Sequence, residues 1–433
     1  MLDIQFIREN ADLVKEKSKQ KGFDVDIDKL LKLDKSRRKL LEDLEAGRSI
    51  RNEFAKQKVK TDAGKRSSAK ELRIKLKNLE SRLEQIEKEY RELLKTIPNM
   101  PLDDVPVGNS EEDNNVTKTV GEKPKFDFEP KSHAEIGEAN DWIDKTRAAK
   151  VTGSRFAYLK GDLVKLQFAL IQYVLDVLTD EKILKEIINI SELKNISSNP
   201  FIPILPPAMV RTEIYEAMDR LDPRDDRYQV GEGKDNLWLQ GSAEHTLGPM
   251  YANEVIQTED YKPLRYLGYA TSFRREAGSY GKDIEGIIRM HQFDKLEMES
   301  FTIPEAGLDE HLFLIAIQEY LMQQLKLPYR VVTKCTADIG KPNARGIDLE
   351  VWLPGNERYL ETHTADYMTD YQTRRLNTKI KSPKDGRNVL AHTNDATAFA
   401  MGRTMVAIIE NYQTKDGNFE TPEVLKPYMG HDK

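Results

Sequence analysis

The sequence predicts an α+β protein in which an antiparallel pair of long helices precedes a larger antiparallel-sheet body. Three observations carry that expectation. Large apolar residues recur at alternating steps of three and four within residues 27–97, the spacing of a two-helix seam. Beyond them, extended segments follow one another in hairpin-like adjacency, without the regular strand–helix–strand alternation of a parallel sheet. Between the two parts runs a stretch rich in Pro, Asp, Glu and Asn, a composition that cannot pack a core.

In chain order, residues 3–21 read as a short helix stopped by Gly22, and Ile27 to about Lys60 as a long one carrying Leu30, Leu33, Leu40, Leu41, Leu44 and Phe54. Thr61–Ser68 supplies the turn, and Leu72, Leu76, Leu79, Leu83, Ile86, Tyr90 and Leu93 the returning helix. Two helices of about 30 residues make an arm of roughly 45 Å. The expected division is an arm over 1–105, with its coiled coil at about 27–97, a linker over 106–130 and a body over 131–433. Within the body, Tyr158–Leu178 has the period of a helix that covers a sheet. Phe201–Pro207 holds prolines that no central strand tolerates, so it reads as an edge or a helix entry, with a helix expected from Met209 to Leu221. Leu237–Glu244, Leu264–Glu276, Arg289–Ile303, Tyr329–Cys335 and Gly346–Thr364 read as strands. On the last, Ile347, Leu349, Val351 and Leu353 alternate with Asp348, Glu350 and Trp352, giving one polar face.

Composition narrows the function. One cysteine, Cys335, rules out a disulfide framework and a cysteine-clustered zinc site, and seven histidines form no HExxH pattern. The start MLDIQFIREN lacks the apolar stretch of a signal peptide, and no run of 18 apolar residues occurs, so a soluble, cytoplasmic protein without membrane association is expected. The chain carries net charge −6, yet residues 1–100 hold 26 Lys and Arg against 19 Asp and Glu, so 101–433 carry −13. A polyanion would therefore be met at the N-terminal arm.

Thr271–Glu297, TSFRREAGSYGKDIEGIIRMHQFDKLE, concentrates the chemistry. It divides into two extended segments around a Gly-containing charged loop, the outline of a long hairpin. Residues two apart share a strand face, so Arg274 pairs with Glu276, and Phe293 with Lys295 and Glu297. At roughly 3.3 Å per residue, Phe293 and Glu297 stand about 13 Å apart, a span that suits a nucleotide base at one end and a small cationic group at the other.

This stretch resembles motif 2 of class II aminoacyl-tRNA synthetases in the form found in seryl-tRNA synthetases. Gly402–Tyr412, GRTMVAIIENY, resembles that family's motif 3, and the proline-bearing segment at 201–207 its motif 1, which forms the family's dimer interface. The resemblance extends over essentially the whole chain. It implies a class II antiparallel-sheet catalytic domain behind a coiled-coil arm that grips tRNA(Ser), and a homodimer. It also implies an aminoacyl-tRNA ligase that activates L-serine with ATP and Mg²⁺ to seryl-adenylate and transfers serine to the 3′ end of tRNA(Ser), and of tRNA(Sec). A synthetase-like paralogue that activates serine or another small amino acid for a different acceptor is the alternative.

Residue by residue, the resemblance assigns catalysis to Arg274, Glu276 and Arg403. It assigns ATP binding to these three and to Arg275, Phe293, Glu361, Thr362, His363 and Thr364, with Glu361 holding Mg²⁺. Serine binding falls to Ser242, Ala243, Glu244, Arg274, Glu297, Asp395 and Thr397. Ser242 and Glu244, two apart, are expected on one strand face. Glu361 and Thr364, three apart, face the same ligand only if a bend or bulge lies between them. Taken singly, a strand Arg–Glu pair is a surface ion pair and a strand Phe is core; joint occurrence in family order is what points to a site. Departures gather at the serine end. The family's Thr-Ala-Glu is here Ser242-Ala243-Glu244, its Asn-Gly-Ser/Thr is Asp395-Ala396-Thr397, and its Ser-Asn is Asp366-Tyr367, so a new carboxylate and a bulky ring are expected to bear on affinity or substrate choice.

Overall fold

The computed structural model describes residues 1–56, 63–231, 236–258, 262–277 and 285–430. Lys58, Lys60, Thr61 and Asp62 of the expected arm and turn, and 278–284 of the charged loop, lie outside the described residues. The chain divides into two compact units, Met1–Met100 and Pro101–Lys433.

The first unit is helical. Where one helix was expected over 3–21 there are two, α1 (Ile4–Glu9) and α2 (Ala11–Gln20), because Asn10 leaves helical geometry at φ −131° and ψ 38°. The long helices α3 (Ile27–Lys56) and α4 (Ala63–Thr96) run antiparallel, and α4 takes in residues 63–68 that were expected as turn. Leu30, Leu40 and Leu44 of α3 and Leu76, Tyr90 and Leu94 of α4 are buried. Gly47 marks a close approach, since a Cβ there would lie 2.7 Å from Leu76 Cδ2. Arg37–Glu87 at 3.2 Å and Arg48–Glu80 at 3.0 Å bridge the two helices. Lys35, Lys39, Arg51, Arg73, Lys75 and Lys77 remain exposed.

The second unit is built on an eight-stranded sheet of β1 (Asn115–Val120), β2 (Ile202–Ile204), β3 (Leu264–Phe273), β4 (Gln292–Thr302), β5 (Tyr329–Thr333), β6 (Arg345–Leu353), β7 (Arg358–Thr369) and β8 (His392–Ala400). Their order is β1-β5-β6-β7-β8-β4-β3-β2, antiparallel throughout except that β2 runs parallel to β3. The stretch 106–130 is thus not wholly linker. Val116, Thr117, Thr119 and Val120 are β-branched, and an edge strand needs a partner on one side only, which β5 provides. The extended segment 346–364 is two strands, β6 and β7, joined by a turn at 354–357. Met209–Arg211 pairs with Leu237–Leu239, and the helix expected over 209–221 is limited to Thr212–Ala217.

Helices α5 (His133–Ala139), α6 (Asp162–Thr179), α7 (Glu244–Leu247), α8 (Gly307–Gln324) and α9 (Met401–Asn411) accompany the sheet. Side chains of α6, α8 and α9 share one core with Leu296 and Met298 of β4, Ile347, Leu349 and Val351 of β6, and Ala396 and Ala398 of β8. Strand alternation then sends Lys295, Glu297, Asp348, Glu350, Asp395 and Thr397 to the opposite face. That face carries the cleft.

Candidate active site

The cleft has a narrow part of about 220 Å³, walled by Ile287, Ile288, Met290, Phe293, Gly402 and Arg403. It has a wider polar part of about 1020 Å³ that includes Arg220, Glu244, Lys334, Asp366 and Asp395. Arg274, Lys295, Glu361, Thr364 and Arg403 line both.

Strand β4 sets the axis of the site. Phe293, Lys295 and Glu297 follow one another on its open face, and Lys295 Nζ lies 2.5 Å from Glu297 Oε2 and 3.1 Å from Ser242 Oγ, to which it donates. Glu297 is fully buried. Burial pushes its carboxyl up to about 8, against the pull of Lys295 and with a further push from Glu244. Arg274 follows directly on β3. Its Nε donates to the Gly241 carbonyl at 2.9 Å, and its guanidinium carbon lies 5.4 Å from the Phe293 ring centre. Glu276, in the left-handed region at φ +51°, turns its carboxylate to Arg289 at 3.1 Å.

Glu361 and Thr364 reach the same cleft because β7 carries a bulge. Leu349 pairs with His363 and the next residue, Glu350, with Glu361, which leaves Thr362 as the extra residue. Arg403, near the start of α9, donates to the Glu361 carbonyl at 2.8 Å and lies 3.2 Å from Glu361 Oε1. Glu361 is nearly half exposed; the protein packed around it would push its carboxyl up, but Arg403 and Lys334 hold it below the ordinary carboxylate range. Lys334 Nζ donates to Thr364 Oγ1 at 2.9 Å and lies 3.2 Å from both Asp348 and Asp366.

Glu244 opens α7. Burial works against its charge, but a contact with His245, itself kept neutral by burial near neutral pH, and the charges of Lys295 and Arg220 hold its carboxyl well below the ordinary range. Asp395, on β8, is buried and pairs with Arg220 at 3.5 Å. Thr397, two residues on, lines the narrow part.

Several expected site residues stand elsewhere. The same bulge that admits Glu361 and Thr364 sends His363 to the core face, fully buried and 5.7 Å from the Phe399 ring. Thr362 does border the narrow part of the cleft, but its Oγ1 bonds the Leu349 carbonyl, at 3.2 Å. Arg275 lies over Tyr228, its guanidinium carbon 4.4 Å from the ring centre, with Nε donating to Arg227. Ala243 is packed with Leu247 and Ala270. Ser242 and Glu244 share no strand, because the strand ends at Leu239 and the chain turns into α7. Tyr367 points away from the cleft; its hydroxyl meets His392 Nδ1 at 2.6 Å and its ring stacks on His311. Its bulk therefore bears on the packing of α8 and not on the ligand.

Sequence reasoning left Lys295 out of the site although it stands between Phe293 and Glu297 on one face, and it missed Arg289, Lys334 and Arg220. The first three lie in or beside polar-faced strands, a signal that was available. Arg220 sits in a turn 175 residues from Asp395 and had none.

Comparison with known proteins places both units. Residues 228–412 match the tRNA synthetase class II core domain (G, H, P, S and T), and residues 1–101 match the seryl-tRNA synthetase N-terminal domain. The chain is 38% identical over 435 residues to the serine–tRNA ligase of Citrifermentans bemidjiense, covering 99% of each. It is 38% identical over 441 residues to that of Thermotoga neapolitana, covering 100% of this chain and 99% of the relative. In three dimensions it is similar to a seryl-tRNA synthetase from Pyrococcus horikoshii complexed with ATP, at a TM-score of 0.87 and 34% identity over 100% of this chain and 98% of the other. A cytoplasmic serine–tRNA ligase from Naegleria fowleri in complex with AMP gives 0.84 and 29% over the same shares.

Proposed function

Because the chain belongs to the seryl-tRNA synthetase family and is a serine–tRNA ligase, we propose that its cleft binds ATP along Phe293 and Arg403 and serine at the Glu244 and Glu297 end, with Arg274 between them. The observation that carries this assignment is the position of the Arg274 guanidinium, anchored on the Gly241 carbonyl and facing Phe293.

The serine carboxylate is already ionised, so its attack on the α-phosphorus needs no general base. A bond forms between a carboxylate oxygen and that phosphorus, the bond to the β-phosphate oxygen breaks, and pyrophosphate leaves. A terminal ribose hydroxyl of the tRNA then attacks the acyl carbon and AMP departs. Arg274, a planar donor with two faces of N–H groups, holds the carboxylate and the α-phosphate together and offsets charge as it develops. Phe293 gives the adenine a stacking surface, and Arg403 takes the outer phosphates. Glu244 receives the substrate ammonium, while Glu297 and Thr397 bond the hydroxyl. A pocket built to satisfy a hydroxyl rejects alanine more strongly than size selection would.

The donors around Glu361 suit a magnesium ion that arrives with ATP and not an all-protein metal cage. Among the described residues no group of three or more His, Cys, Asp or Glu is arranged to hold a metal, and Mg²⁺ characteristically takes one or two carboxylates with water and phosphate oxygens. Glu361 would hold it with Thr364 nearby, and the ion would neutralise phosphate charge.

Exposed lysines and arginines of α3 and α4 support tRNA(Ser) binding through phosphate contacts, which position without reading sequence, and tRNA(Sec) would be held in the same way. Ile202, Leu205 and Met209 expose 49%, 79% and 45% of their surface around the motif-1-like segment, which supports a homodimer. Among the described residues no helix is long and apolar enough to cross a membrane; the reaction's need for tRNA and ATP supports a cytoplasmic location. Serine-dependent ATP–pyrophosphate exchange, run beside threonine, alanine, glycine and cysteine and followed by tRNA charging, tests the assignment. Exchange and charging with serine are expected, and absence of serine exchange would overturn it.

A further inference from the structure

Three carboxylates stand in a row across adjacent strands at the far end of the cleft. Asp366 of β7 is directly opposite Asp395 of β8, and Asp395 is directly opposite Glu299 of β4. Like charges in directly opposed positions repel, so the row needs cations. Lys334 meets Asp366 at 3.2 Å and Arg220 meets Asp395 at 3.5 Å, but Lys334 is shared with Asp348. With Glu244 and Glu297, five acids of this end stand among four cations, Arg220, Arg274, Lys295 and Lys334, and Arg220 is the cation that meets Asp395. Glu244 shows that this end is shaped for a cationic ligand: it lines the cleft, is 7% exposed, and its Oε2, the place given above to the substrate's α-ammonium, has no hydrogen-bond partner among the described residues.

A neutral hydroxyl offers this row no counter-charge, whereas a cation does. Asp395 and Thr397 lie two residues apart on one strand face, so a group bound at Thr397 is within about 7 Å of Asp395. At that range in a buried setting an ammonium is attracted appreciably and a hydroxyl is not.

We propose that Asp395, supported by Glu299, lets this pocket select a side-chain ammonium as well as a hydroxyl, so that the enzyme also activates L-2,3-diaminopropionate, in which an amine stands where serine has its hydroxyl. This rests on the reading above that the amino-acid side chain points to Glu297 and Thr397. Burial and the facing carboxylates hold Asp395 well above its ordinary range despite Arg220, and burial with the facing Asp395 does the same to Glu299. A bound ammonium supplies the counter-charge that lets these groups give up their protons.

ATP–pyrophosphate exchange with the full-length enzyme decides it, using serine, 2,3-diaminopropionate and the size-matched alanine. Exchange with the diamine well above that with alanine is expected. Asp395→Asn, which keeps the shape, should lower the ratio of kcat/KM for the diamine to that for serine by about tenfold, and Glu299→Gln should lower it in the same direction. Serine exchange with none from the diamine overturns this inference alone, as does diamine exchange whose ratio to serine is untouched by both variants. No exchange with any amino acid overturns the adenylation reading and this inference with it.

Discussion

Arg403 and Glu361 are joined twice, by a 2.8 Å hydrogen bond from the guanidinium to the Glu361 carbonyl and by a 3.2 Å approach to its carboxylate. The arginine of α9 proposed to take the outer phosphates and the acid of β7 therefore form one unit. Arg403→Lys keeps the charge but loses the forked geometry that makes both contacts. It should raise the KM for ATP at least about tenfold with a smaller change in the KM for serine; equal changes in the two would remove Arg403 from the nucleotide side.

Arg274→Ala removes the group proposed to join the two substrates. Adenylate formation should fall by about 10³-fold or more, the scale of losing a preorganised transition-state donor. Because the side chain is only partly buried and its protein hydrogen bond is to one carbonyl, thermal unfolding should move little. Near-normal pyrophosphate exchange in this variant would refute its role.

Glu297 predicts a pH-dependent stability with a definite sign. Its carboxyl is raised from 4.5 to about 8 in the fold, so the native state holds the proton more tightly than the unfolded chain. The stabilisation is complete below about pH 4.5 and is lost as pH rises through about 8. Ligand-free protein should resist denaturant less at pH 9 than at pH 6, and Glu297→Gln should flatten that difference. An unchanged slope in the variant would assign the proton to another group.

Gly286 tests how the narrow part of the cleft is held. His133 Nδ1 meets Glu410 of α9 at 2.8 Å, which leaves Nε2 to accept from Ile287 N–H at 3.4 Å. Gly286 has φ +53°, and a Cβ there would lie 1.9 Å from His133 Nε2. Gly286→Ala should destabilise the protein by about 1–3 kcal/mol and raise the KM for ATP more than that for serine. Wild-type stability in this variant would show that the segment is not fixed by the histidine.

Deleting residues 27–97 with a short connector should spare serine-dependent exchange while tRNA charging collapses, measured on one preparation. Charging that survives would make α3 and α4 structural.

The helical arm and the central strands were legible in the sequence because each carries a period, three and four on α3 and α4, two on β4 and β6. Even the irregularity in β7 was foreseeable, since Glu361 and Thr364 have opposite parity. Its position at Thr362 was not, and for that reason His363 was expected at the ligand and is found in the core. Where the chain turns, period gives no guidance: the entry to α7 decided the directions of Ser242 and Glu244, and a contact across 175 residues brought Arg220 to Asp395. Edge strand β1 escaped notice because its residues are mostly exposed, so no apolar alternation betrays it.

The extra residue at Thr362 also divides one strand into two halves that are out of phase. Before it odd-numbered Glu361 faces the cleft, and after it even-numbered Thr364 and Asp366 do. A one-residue deletion there would restore a single phase, turning the cleft-facing side chains of one half or the other into the core. While the offset is kept, a substitution at 366 alters the Asp395 end of the cleft without moving Glu361, so recognition at the proposed amino-acid pocket can drift while the proposed nucleotide contact stays as it is.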